Sequence, residues 1–244
     1  MKKIFLISLL IMIIDGYSQH PFSGVVEYTI EASEPFKAKN INNDKNLDEG
    51  KKKELIEILT KPAFFILEFN ASESLYKSKV NNMSSDSEKR PKLNFMQTFG
   101  GGASGIYYSN SNKKKTLAQK NAFGELLLIS YEIPNWELTK ETKKIGSFLC
   151  YKAIKKSKNQ NSKTIEEVWY TSEIPVQFGP ALYNGLPGLV LEVQVGKIRI
   201  IATKVSLNTD QSKIIIIEEP NQGIKMTEEE YLKKINEIAD EFGF

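Results

Sequence analysis

Few residues in this chain have the type and spacing to do chemistry. Cys150 is its only cysteine and His20 its only histidine, which removes most of the usual nucleophiles, general bases and metal ligands. His20 falls beside the N-terminus expected after processing, a poor position for a catalytic base. Cys150 sits in the apolar run Phe148-Leu149-Cys150-Tyr151. That setting predicts a buried structural thiol, with a nucleophile or an intermolecular bridge as the alternative. Four carboxylates, Glu166, Glu167, Glu173 and Glu192, lie in or near the most distinctive region, and a carboxylate-dependent hydrolase would draw on such groups. Strand periodicity, however, puts Glu192 on a water-facing side. No catalytic, cofactor-binding or metal-ligating residue is assigned on this basis, and no cofactor is expected.

Two further segments invite a chemical reading and do not support it. Gly100-Gly101-Gly102 could cradle a phosphate only with a following Lys-Ser or Lys-Thr and a helix, and neither follows. A long mobile loop over Asn81 to Gly105 is the expectation. Lys113-Lys114-Lys115 follows Asn110-Ser111-Asn112 and reads as a solvated hairpin tip. Lys and Arg number 33 against 30 Asp and Glu, a net charge of +3. This balance carries no concentrated basic stripe, so no nucleic-acid partner is expected.

The elements that must position these residues are mostly strands. The chain opens with Lys2 and Lys3, an apolar stretch from Ile4 to Ile14, then Asp15, Gly16 and Ser18. This is the pattern of a secretory signal peptide over residues 1–18, cleaved before Gln19. Its apolar stretch is shorter than the roughly 20 residues of a membrane span, so no stable membrane anchor is expected after cleavage. The absence of a cysteine near the cleavage site excludes a diacylated lipoprotein. Residues 19–244 are expected to form a single domain in the periplasm or outside the cell, without an internal disulfide.

Within it, β-branched and aromatic runs predict strands at Val25–Ile30, Phe64–Phe69, Ser74–Lys77, Ile106–Ser109, Thr116–Lys120, Glu125–Tyr131, Trp136–Thr142, Phe148–Lys155, Thr164–Thr171, Leu189–Val195, Ile198–Leu207 and Lys213–Glu218. Leu55, Ile56 and Leu59 recur at helical spacing over Lys51 to Thr60, ahead of Pro62. At the C-terminus Thr227 and Glu230 form a capping box. Behind it Leu232, Ile235, Ile238 and Phe242 share one helix face, expected to dock on the sheet as a cover or lid. The fold class is mainly β: an antiparallel meander curved into a half-open barrel, with one internal helix and a C-terminal amphipathic helix.

The segment from Trp169 to Val195 is the most singular. Its centre is Gly185-Leu186-Pro187-Gly188-Leu189-Val190, a structural or binding loop. Leu186-Pro187-Gly188 suits a type II turn with Gly188 at positive φ. Around it stand Trp169-Tyr170-Thr171, Glu173-Ile174-Pro175 and Gly179-Pro180, with Gly24 to Tyr28, Phe69…Ser74, Trp136…Ile145-Gly146…Cys150 and Lys152-Ala153 upstream. On these residues the chain resembles the GLPGLI family, exported proteins of unknown function from Bacteroidetes-type bacteria, with Val190 in place of the final Ile. The resemblance implies family and compartment but no activity and no functional residues. The resulting expectation is a non-catalytic binding or interaction module with an apolar ligand or an envelope protein as partner. A carboxylate-dependent hydrolase and a structural subunit of an envelope assembly are the alternatives.

Overall fold

The computed structural model describes residues 23–32, 48–79, 95–101, 105–155, 166–208, 210 and 214–242. The expected signal peptide and His20 lie outside them. Twelve strands run in the order β1 (Ser23–Ala32), β2 (Ala63–Phe69), β3 (Glu73–Ser78), β4 (Ile106–Asn110), β5 (Lys115–Ala122), β6 (Glu125–Tyr131), β7 (Glu137–Ile145), β8 (Phe148–Lys155), β9 (Glu166–Thr171), β10 (Leu189–Val195), β11 (Ile198–Asn208) and β12 (Ile224–Thr227). Three helices accompany them: α1 (Glu49–Thr60), α2 (Phe95–Phe99) and α3 (Glu228–Phe242). Helix α1 starts two residues before the periodic pattern because the Asp48 side chain accepts from Lys51 N at 2.9 Å and caps it.

All the strands belong to one sheet, ordered β12-β6-β5-β4-β3-β2-β1-β11-β10-β9-β8-β7. The order resolves into two meanders, β1 to β6 and β7 to β11, joined where β1 pairs antiparallel with β11. Every pairing is antiparallel except that of β12 with β6. The chain passes from β6, next to one edge, to β7, the opposite edge, through residues 132–136 alone. Ten flat strand intervals would separate β6 and β7 by roughly 48 Å, whereas that link reaches only about 20 Å. The sheet therefore curls strongly, as expected, without closing into a barrel.

Alternation along the strands fills the inner face. Val26, Tyr28 and Ile30 of β1 and Phe65, Leu67 and Phe69 of β2 are fully buried. The rings of Phe65 and Tyr76 stack at 5.1 Å with an interplanar angle of 4°. Two non-strand segments complete the filling. The β9–β10 loop contributes Ile174, Val176, Phe178 and Leu186, and α2 contributes Met96. Gly100 and Gly101 after α2 owe their small size to this packing. A Cβ on Gly100 would lie 2.3 Å from the Phe65 ring, and one on Gly101 2.2 Å from the Tyr107 ring.

Several expectations are corrected. Among the described residues there are two internal helices rather than one, since α2 lies inside the stretch read as a loop. Residues 214–218, read as part of a strand at Lys213–Glu218, pair with no strand. With residues 219–222 they form an extended strap across the sheet, turning Ile215 and Ile217 toward it while Ile216 is 88% exposed. Asn70 Nδ2 donates to Ile215 O at 3.2 Å and tethers it. The capping box at Thr227 is present, but α3 covers no core. Leu232 is 49% exposed, Ile235 and Ile238 are half-buried, and the helix rests beside β6 and β12. Its contacts include Tyr231 against the Phe123 ring and Lys234 to Glu125 at 2.6 Å.

Candidate functional site

The hexapeptide loop is placed by its backbone. Gly188 N donates to Leu186 O at 2.8 Å, closing a three-residue γ-turn around Pro187, and Val176 N does the same with Ile174 O around Pro175. The fixed φ of proline matches the inverse γ-turn. The expected type II turn is thus absent, and positive φ falls on Gly185 (84°) rather than on Gly188. Gly188 is required for another reason: a Cβ there would lie 2.2 Å from Thr171 O. The two arms of the loop are tied together by Leu189 N to Ile174 O, Val190 N to Phe178 O and Gly185 N to Gln177 O. Leu186, Leu189 and Val190 are buried. Asn184 anchors the tip, its Nδ2 donating to Ser109 Oγ at 2.8 Å and Thr116 Oγ1 at 3.0 Å. Trp136 Nε1 donates to Asn184 O at 2.8 Å.

The carboxylates singled out in the sequence are dispersed into separate contacts. Glu166 pairs with Lys155 at 3.4 Å and Glu167 with Lys152 at 3.2 Å, while Glu173 accepts from Leu149 N at 2.8 Å. Glu192 departs from its expected exposure. A bulge between Val190 and Glu192 breaks the alternation of β10, burying Val190 and setting Glu192 opposite Trp169. There Glu192 is 6% exposed and engages both Lys143 at 2.7 Å and Arg199 at 3.1 Å. Lys143 Nζ also stands 4.3 Å from the Trp169 ring centre, a cation–π contact. This knot has the character of structural cross-bracing. Cys150 is fully buried, and burial pushes its thiol up to about 11. It is unsuited to attack as a thiolate.

An arrangement with room for a ligand and an apolar floor lies elsewhere, where β5, β6 and β12 meet the strap. A cleft of about 420 Å³ opens there. Its floor is Leu117 and Leu128, which share a small apolar cluster with Tyr108 and Ile217. Lys115 from the hairpin tip forms an ion pair with Glu219 of the strap at the rim. Asn221 follows on the strap, and Ser130 comes from β6, its Oγ donating to Met226 O at 3.3 Å. Glu230 reaches in from the first turn of α3. Thr227 N and Thr227 Oγ1 both donate to Glu230 Oε2, at 2.7 and 3.0 Å, which fixes the carboxylate and leaves Oε1 its acceptor capacity. The backbone donor of Thr227 holds the Glu230 carboxyl below the usual carboxylate range. Sequence reasoning missed this site because its residues are scattered over more than a hundred positions. Of its polar lining, Lys115 stood out beforehand as a turn residue and Thr227 and Glu230 as a capping box.

Comparison with known proteins adds the following. A model of the family described as N-glycanase peptide, N-terminal domain matches residues 107–229, just over half of the chain. Two solved structures of PNGF-II share the fold. The one in space group C2 has a TM-score of 0.52 at 16% identity over 88% of this chain, and the one in P2₁ a TM-score of 0.50 at 17% over 86%. This chain spans 32% of the length of each. No curated protein sequence matches. The matched residues include Gly185 to Val190 themselves, so the hexapeptide does not place the chain in the GLPGLI family, and that resemblance is withdrawn.

Proposed function

Because this chain belongs to the N-glycanase N-terminal-domain family, we propose that it is an N-glycanase-related protein that takes part in processing N-linked glycoconjugates outside the cytoplasm. This replaces the non-catalytic binding or interaction module expected from the sequence, which the family match contradicts. The observation that carries the reading is the match across residues 107–229. The cleft between β5, β6, β12 and the strap supports it, since its lining falls within those residues except for Glu230. Family membership is consistent with export. Secretion through residues 1–18 and a single working unit over 19–244 are part of the proposal.

The test uses the full chain and a glycopeptide carrying one N-linked oligosaccharide, with its glycan-free counterpart as control. Mass spectrometry reports release of the glycan, and fluorescence polarisation of the labelled peptides reports binding. The expected result is a glycan-dependent response: the glycopeptide is bound or deglycosylated and the bare peptide is not bound. Identical behaviour toward the two peptides overturns the reading.

A further inference from the structure

We propose that the tip of the hexapeptide loop encloses a binding site for a single ordered water molecule, and that this water completes a polar joint between the two meanders. Asn184, only 4% exposed, creates the need. Both of its Nδ2 protons are spent, on Ser109 Oγ and Thr116 Oγ1. Its Oδ1 is buried and bonds no group among the described residues. A carbonyl oxygen left in that state bears the full cost of the hydration it lost on folding. Turning the amide over would exchange an orphaned acceptor for orphaned donors, so the need for a partner persists in either orientation.

The surroundings select the partner. Ser109 and Thr116 face one another in the β4–β5 ladder. Both hydroxyls accept from Asn184, so neither hydroxyl proton is used in these bonds. Together with Asn184 they line a cavity of about 10 Å³, the least space that admits one water. A water there accepts from the Ser109 or Thr116 hydroxyl and donates to Asn184 Oδ1. The ring then closes: amide to hydroxyl, hydroxyl to water, water back to amide, each bond polarising the next. A larger solute does not fit. Lys115 on the cavity wall disfavours a cation, and the lone pairs of Oδ1 disfavour an anion. Three segments converge at this point. Asn184 immediately precedes the hexapeptide, Ser109 and Thr116 belong to the first meander, and Trp136 of the β6–β7 link donates to Asn184 O. The water thus fastens the β9–β10 loop to β4 and β5, far from the β1–β11 seam in the strand order.

A high-resolution crystal structure of the full chain tests this. The expected result is one peak of water density within hydrogen-bond distance, roughly 3.2 Å or less, of both Asn184 Oδ1 and the Ser109 or Thr116 hydroxyl. Magnetic relaxation dispersion of the water oxygen supplies a reading in solution, by counting the waters held for longer than the protein takes to tumble. Asn184→Leu, close to asparagine in shape and unable to hydrogen-bond, is expected to hold one such water fewer than the wild-type chain. A dry position in the density, or Asn184 Oδ1 bonded directly to a protein group, overturns the site. A folded Asn184→Leu chain with the wild-type number of held waters overturns it as well. Should that variant not fold, the wild-type density decides alone.

Discussion

The hydroxyl of Tyr28, at the centre of β1, donates to the backbone carbonyl of Val190 at 2.6 Å. This bond fastens the last residue of the hexapeptide to the opposite meander, beside the bulge that redirects β10. Tyr28 is fully buried, so Tyr28→Phe would leave the Val190 carbonyl without that donor in a dry site. The expected loss is about 1–3 kcal/mol, read as a lower urea midpoint with an unchanged slope.

The loop offers a sharper contrast between two glycines. A Cβ at Gly188 meets backbone, Thr171 O at 2.2 Å, which cannot swing aside. Gly146 has φ 58 and nothing within 4 Å of the same position. Gly146→Ala should therefore cost only the left-handed backbone penalty, about 1 kcal/mol. Gly188→Ala should cost well above that or prevent folding. Chemical denaturation of the two variants measures the gap, and equal midpoints would contradict the close approach.

Glu192 engages both Lys143 and Arg199, and its neutralisation deprives both cations of that carboxylate. Glu192→Gln should destabilise by roughly 2 kcal/mol. This is less than breaking a fully buried pair, because Lys143 and Arg199 keep about a third of their side chains in solvent. The double variant Glu192→Gln, Lys143→Met should recover part of the loss in a mutant cycle. Additive losses would show that the pair is not coupled.

Cys150 should resist alkylation. Its thiol is pushed up to about 11, chiefly by burial, so the folded protein at pH 8 holds almost no thiolate. Iodoacetamide should label it only in denaturant, as followed by intact mass. The neutral thiol is favoured by folding, so its contribution to stability is complete below the ordinary thiol range near 8.5. That contribution falls as pH rises through this range toward about 11.

Acid should loosen α3 before the sheet. The Glu230 carboxyl is held low by the Thr227 backbone donor, so the capping box is intact at neutral pH. It is lost as pH falls below the ordinary carboxylate range and through the lowered value. Hydrogen exchange should show the first turn of α3 fraying while the amides of β1 and β2 remain protected. Simultaneous loss in helix and sheet would refute this order.

Much of the fold was legible because most strands obey one rule. Glu125–Tyr131, Phe148–Lys155 and Leu189–Val195 are strands with the bounds their residue pattern predicts. The misses have separate causes. Ile214 to Glu218 alternates as a strand does, but it lies on top of the sheet, and alternation cannot tell a strap from a ladder. Ile224–Thr227 is too short and polar to stand out, and only its parallel register with β6 makes it a strand. Glu192 was misjudged because a bulge leaves no mark in a hydrophobic pattern. The cleft was illegible because the sheet, and not the sequence, brings Lys115, Ser130 and Glu219 together.

The division of the sheet into two meanders has a kinetic meaning. Within each meander the neighbouring strands are consecutive in the chain, with at most 30 residues between them, and pair by closures far shorter than that of the seam. The seam is different: Val26 pairs with Val205, across most of the chain, and its closure entropy falls due before any contact repays it. Formation of the β1–β11 seam is then the slow step of folding, and a nascent chain emerging N-terminus first holds a finished half-sheet with β1 as an open edge until β11 arrives. Chaperone dependence and aggregation during biogenesis should accordingly follow substitutions on β1 and β11 more closely than equally buried ones on β4 or β8.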